Sequence, residues 1–241
     1  MRERSSTLNT NDADIFYTFK LARSDVISLV FYFAFLLIYV GIWIVQLFVL
    51  NSLSKHFFFF TTHTYMLNML WLGFSIVNIL TKPQKWDCFW QVMRALHVMV
   101  ATQTLTISLA YWTTLVWTAL PNLRNVCSSF GWCVFYTIIS HGGVCLPSWI
   151  ALLAMLTDVR SYDVIWPIGY LLIYIFMVLW PLTANFQVLY SPLTFDNTLT
   201  VVFILVWFVS TVIVFFFVYY VSQCTKKRIL KSWEGQKSGG R

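Results

Sequence analysis

The sequence predicts an all-α protein, a polytopic bundle of about six membrane-crossing helices with both termini in the cytoplasm. Three observations carry this. First, 59% of the 241 residues are hydrophobic and only 10% are charged. A soluble domain carries about 25% charged residues, so this chain has too few charges to cover a water-facing surface. Second, the chain divides into six apolar stretches, each of the order of the 20 residues that a helix needs to cross the hydrocarbon core. Third, Lys and Arg are segregated to alternate connections, as the positive-inside rule demands. The aromatic fraction of 19%, with 12 Trp, suits a chain with two headgroup interfaces to occupy.

The stretches follow in order. Residues 1–25 are polar and lack a short apolar core, so the expectation is a cytoplasmic segment with no secretory signal. The first span covers about Val26 to Leu50. The second covers Phe57 to Leu80 and ends before Lys82-Pro83. The third, Phe89 to Leu120, is overlong and carries Arg94 and His97 near its start. Residues Trp86 to His97 are therefore expected to lie along the interface before the helix turns inward. Pro121 closes it. The fourth runs from Cys127 to Leu156 and stops at Asp158 and Arg160. The fifth, Val164 to Tyr190, holds Pro167 and Pro181, which a span tolerates where neighbours satisfy the freed backbone groups. The sixth covers Leu199 to Val221. Residues 26–222 thus form the transmembrane domain, and 223–241 form a basic cytoplasmic tail. Strict alternation is absent, which argues against a barrel.

Fourteen of the 16 Lys and Arg residues fall on one side under this topology. Only Lys55 and Arg124 fall on the other. An odd number of spans would spoil that segregation. The net charge of +7 is spent at span ends, which leaves no basic face for nucleic acid. The five cysteines show no CxxC spacing, and four histidines on separate segments do not form a haem or metal set. Cys127 and Cys133 stand on the predicted outer side, where a disulfide could form.

Ionisable groups at membrane depth are the default functional candidates. His141 lies inside span four, His63 near the outer end of span two, and His97 at the inner start of span three; His56 falls in a link. Thr61, Thr64, Asn68 and Ser75 share one face of span two, Thr137, His141 and Ser148 one face of span four, and His97, Thr104 and Ser108 one face of span three. Such stripes either line a shared cavity or hydrogen-bond back to their own backbone and across helices. Spans two and four run in the same direction. Thr61 then lies roughly 6 Å below its span start and His141 roughly 12 to 20 Å below its own, at about 1.5 Å per residue. A Thr hydroxyl becomes a competent nucleophile only when a base such as His accepts its proton.

Two segments resemble a known family. Phe59-Phe-Thr61-Thr-His-Thr-Tyr-Met-Leu-Asn68, continuing to Trp71-Leu-Gly73-Phe, is similar to the second-span motif of the androgen-induced and androgen-dependent TFPI-regulating protein family, which is related to the rolling stone proteins. Ser140-His141-Gly-Gly-Val-Cys-Leu146-Pro147, running on to Arg160, resembles its histidine-containing segment, and Tyr111-Trp112 its aromatic pair in span three. The resemblance implies an integral membrane hydrolase of fatty acid esters, such as those of hydroxy fatty acids, with Thr61 as nucleophile and His141 as base. Thr62 adjoins Thr61, so the register between them stays open, and Val144 stands where the family can carry a second His. Asn68, Thr64 and the backbone at Gly142 are the candidates for the cavity and the oxyanion site. The substrate would come sideways from the bilayer, and neither metal nor cofactor is required. Two other readings of the residues are a non-catalytic membrane scaffold or adhesion-type protein and a small transporter with a broken fifth helix, although no inverted repeat supports the latter. The expected location is an endomembrane or the plasma membrane.

Overall fold

The computed structural model describes residues 25–49, 60–81, 87–115, 130–154, 159–184 and 198–238, and all of these segments are helical apart from short connections. Helix α1 (Asp25–Val49) packs on α2 (Phe60–Thr81), and α2 packs on α3 (Asp87–Ala110). A wide π-helical turn, Tyr111–Leu115, continues α3. Helix α4 (Phe130–His141) leads through a 3-10 turn at Gly143–Cys145 into α5 (Leu146–Ala154). After a second 3-10 turn, Ser161–Val164, come α6 (Ile165–Tyr174), a π-helical turn (Ile175–Leu179) and α7 (Trp180–Ala184). Helix α8 (Thr198–Ser238) completes the chain's described part.

Five of these segments are long and apolar enough to cross a membrane: Val26–Val45, Phe60–Thr81, Cys88–Thr113, Ser161–Ala184 and Thr198–Ile229. The stretch expected as span four is described over 130–154, and there it is two short helices broken at Gly142. The chain is compatible with a multi-pass membrane protein, and its outward faces agree. Val30, Leu37 and Ile44 on α1 and Leu205, Val209 and Phe216 on α8 are all exposed, an apolar area that water would not tolerate.

Helix α3 is the hub. Of its most apolar window, 78% is buried inside the protein, against 17% for the first span. This explains why its sequence is the most polar of the five. His97, Thr102, Gln103 and Thr104 have no exposed surface, because other helices surround them. It also corrects the expectation of an interfacial segment at Trp86 to His97. The helix runs unbroken from Asp87, and Met93 to His97 are buried. Arg94 is accommodated by an ion pair with Asp163 at 3.4 Å, and His97 by a flat stack on Trp71.

The segment expected as a broken fifth span is braced from α3. The Gln103 side chain donates to the Pro167 carbonyl at 2.7 Å. Pro181 offers no N–H to the preceding turn, and the π-helical turn directly before it absorbs the mismatch. At the other end of the chain, the helix continues past Val221 as far as Ser238. Residues 223–238 of the stretch expected as a basic tail are thus helical and continuous with the rest of α8. At about 1.5 Å per residue α8 is roughly 61 Å long, twice the hydrocarbon thickness of about 30 Å. Its extension is tied down where Gln223 donates to the Val159 carbonyl and Arg228 to that of Leu153.

Candidate active site

Thr61 opens the first turn of α2, and His141 is the last residue of α4. Both line one cavity of about 260 Å³, whose wall comes from α2, α3 with its π-helical turn, the end of α4, and α8. The wall is mostly apolar, built by Phe60, Ile107, Leu109, Phe203, Trp207 and Val214 among others. Leu109, Val206 and Ile213 also line it and are about half or more exposed, at 49%, 60% and 63%. The cavity is thus flanked by side chains on the outward surface of α3 and α8, the same surface that carries the apolar belt.

The polar part of the wall is small: Thr61, Thr106, Tyr111, Thr113, His141 and Ser210. Two of these hydroxyls are already spent, since Thr106 donates to the Thr102 carbonyl at 2.9 Å and Thr113 to that of Leu109 at 2.7 Å. Thr61 has no hydrogen-bond partner among the described residues, and its neighbour Thr62 is 2% exposed and does not line the cavity. The helix phase thus turns Thr61, and not Thr62, toward the cavity.

His141 is held by its ring face. The imidazole lies parallel to the Tyr111 ring, with centroids 3.8 Å apart and planes inclined by 5°. Its Nδ1 is buried and has no hydrogen-bond partner among the described residues. The helix that carries it ends here because the next peptides turn into the 3-10 geometry of Gly143–Cys145. Gly142 is required at that break: a Cβ there would stand 2.8 Å from the Ile138 carbonyl oxygen.

The other expected site residues lie elsewhere. Thr64 and Asn68 are fully buried and do not line the cavity. Thr64 donates to the Phe60 carbonyl, Asn68 to that of Thr64, and Ser75 to that of Trp71. Thr104 does the same toward Val100. The polar stripe of α2 therefore serves the helix's own backbone, with only Thr61 facing the cavity. The Gly142 amide donates to the Ile138 carbonyl at 2.8 Å, which removes it as an oxyanion donor. His97 does not line the cavity and bonds through Nε2 to the Ser148 carbonyl at 3.0 Å. His63 is half-buried with its ring edge-on to Tyr174. Sequence reading missed Thr106, Thr113 and Ser210, because a period alone does not say which of several polar faces meets a void.

Among the described residues, no three His, Cys, Asp or Glu side chains gather around one point that could hold an ion. Cys127 lies outside the described residues, and with it the question of a disulfide to Cys133. No protein-family model, curated protein or solved structure matches the chain.

Proposed function

We propose that the chain is an integral membrane hydrolase of fatty acid esters in which Thr61 is the nucleophile and His141 the general base. The observation that carries this is that Thr61 and His141, from distant parts of the sequence, both line one apolar cavity beside the outward surface. The chemistry follows from the pair. Thr61 Oγ attacks the ester carbonyl carbon while its proton passes to an imidazole nitrogen of His141. The tetrahedral intermediate collapses, and the same proton leaves with the alcohol oxygen. Water then repeats the sequence on the acyl-threonine and releases the fatty acid. An oxyanion needs a donor not already committed, and the wall offers Ser210.

The six-span topology with cytoplasmic termini belongs to this proposal. It treats residues 130–154 as a fourth span interrupted at Gly142, which keeps the fourteen basic residues on one side. Such an arrangement also fits the likeness of the motifs around Thr61 and His141 to the androgen-induced family. The self-bonded α2 stripe favours a second reading, a non-catalytic membrane scaffold, since those residues do nothing that helix packing does not need.

Reconstituted full-length chain, offered a long-chain acyl ester of 4-methylumbelliferone, separates the two. Hydrolysis that is lost in both Thr61→Ala and His141→Ala supports the enzyme. Hydrolysis that is absent from the parent chain, or unchanged in both variants, supports the scaffold.

A further inference from the structure

A histidine that moves protons has its ring held by a third group, usually a carboxylate or carbonyl on Nδ1. No described acidic residue lines this cavity, and His141 Nδ1 has no partner among the described residues. The ring is nonetheless in a fixed setting, and Tyr111 supplies it.

Three features make Tyr111 suited to this. It is the first residue of the π-helical turn, where the helix widens and the direction of its side chains shifts from the regular α-helical phase. It is 6% exposed, so its own ring is immobilised by packing. Its phenol is within hydrogen-bonding reach of the Thr137 hydroxyl, and Thr137 lies one turn before His141 on α4. Tyr111 therefore grips α4 at two points, the hydroxyl at 137 and the flat imidazole at 141. The second grip falls where α4 ends and its backbone carbonyls lack the next helical turn, the position at which a side chain most needs an external support.

We infer that Tyr111 is the positioning residue for His141, acting through its ring face in the role that a carboxylate commonly fills. This rests on the hydrolase reading for its purpose but not for its geometry. The π face adds a second effect in the reaction. When His141 takes the Thr61 proton it becomes a cation lying on an electron-rich ring, a favourable cation–π arrangement.

The variants Tyr111→Phe and Tyr111→Leu isolate the ring from the hydroxyl. Phe keeps the face and loses only the reach to Thr137. The full-length chain in detergent is treated with diethyl pyrocarbonate, and carbethoxylation of His141 is followed by peptide mapping. Hydrolysis of the umbelliferyl ester is measured in parallel, with melting temperature as the control for folding. Tyr111→Phe is expected to keep the parental His141 reaction rate and most of kcat. Tyr111→Leu is expected to change the His141 reaction rate severalfold and lower kcat by about tenfold, the factor that 1.4 kcal/mol gives, with KM and melting temperature near the parent. If Tyr111→Leu leaves His141 reacting as in Tyr111→Phe, the positioning role is wrong whether or not the chain hydrolyses esters. If the reaction rate changes as expected while Thr61→Ala and His141→Ala hydrolyse like the parent, the positioning role stands and the hydrolase reading falls.

Discussion

Arg94 and Asp163 face each other at 3.4 Å with side chains 9% and 0% exposed, joining the hub helix α3 to the 3-10 turn that leads into α6. Asp163 is held from a second side as well, since its Oδ2 accepts the Arg160 amide at 2.8 Å. Removing one member of such a pair leaves the other charge buried alone, which costs about 3–5 kcal/mol. Arg94→Met is therefore expected to be strongly destabilised, and Arg94→Met/Asp163→Asn to recover part of the loss. Thermal retention of a monodisperse peak in detergent checks this. Equal stability of Arg94→Met and the parent would mean that the charge is not buried.

His97 tests whether the buried histidine and the cavity-lining His141 have different duties. Its ring stacks on Trp71 at 4.7 Å with planes 13° apart, and its Nε2 donates to the Ser148 carbonyl. Both contacts are structural. His97→Phe keeps the stack and loses a hydrogen bond worth about 1 kcal/mol, so a small loss of stability with kcat retained is expected. His141→Phe, by contrast, is expected to leave stability almost unchanged and abolish hydrolysis. A His97→Phe variant that is folded but inactive would put the wrong histidine in the mechanism.

Gly142 and Gly143 look equivalent in sequence and are not equivalent in space. A methyl group at 142 would meet the Ile138 carbonyl oxygen at 2.8 Å, whereas at 143 it would meet only the Ile139 side chain at 3.7 Å. Overpacking against backbone costs about 1–3 kcal/mol. Gly142→Ala is expected to lose that stability and to disturb His141 beside it, while Gly143→Ala behaves as the parent in both melting temperature and hydrolysis. Indistinguishable variants would mean that the break at the end of α4 is looser than described.

Apart from the nucleophile Thr61 and the positioning Tyr111, Ser210 is the wall hydroxyl with no backbone carbonyl partner among the described contacts, in contrast to Thr106 and Thr113. Removing an oxyanion donor costs about 10²–10³ in kcat. Ser210→Ala is expected to lose activity on that scale with KM little changed, and Thr113→Ala to lose much less. If Ser210→Ala hydrolyses like the parent, the donor must be sought elsewhere.

The all-helical character was legible in composition, since so few charges and such long apolar runs leave no other solution. The described parts of α1 and α2 fall within or at the edges of those runs. The hub role of α3 was hidden, because its polar residues read as an interfacial segment until the helices around it were known. The break at Gly142 was hidden too: the stretch from Cys127 to Leu156 is apolar throughout, and hydropathy does not register a change of helical geometry. At the cavity, Thr61 and His141, singled out in the sequence from motif and depth, both line the wall. Their lining partners were not legible, because Thr64, Asn68 and Ser75 present as regular a period as any cavity wall and yet bond to their own helix.

The most direct test of the account is to map the adduct of a fluorophosphonate on the purified full-length chain by peptide mass spectrometry. The account predicts one phosphonyl group on Thr61, absent in Thr61→Ala, retained in Thr62→Ala and greatly slowed in His141→Ala. An adduct on another residue, or labelling of Thr61 at the parental rate in His141→Ala, would contradict it.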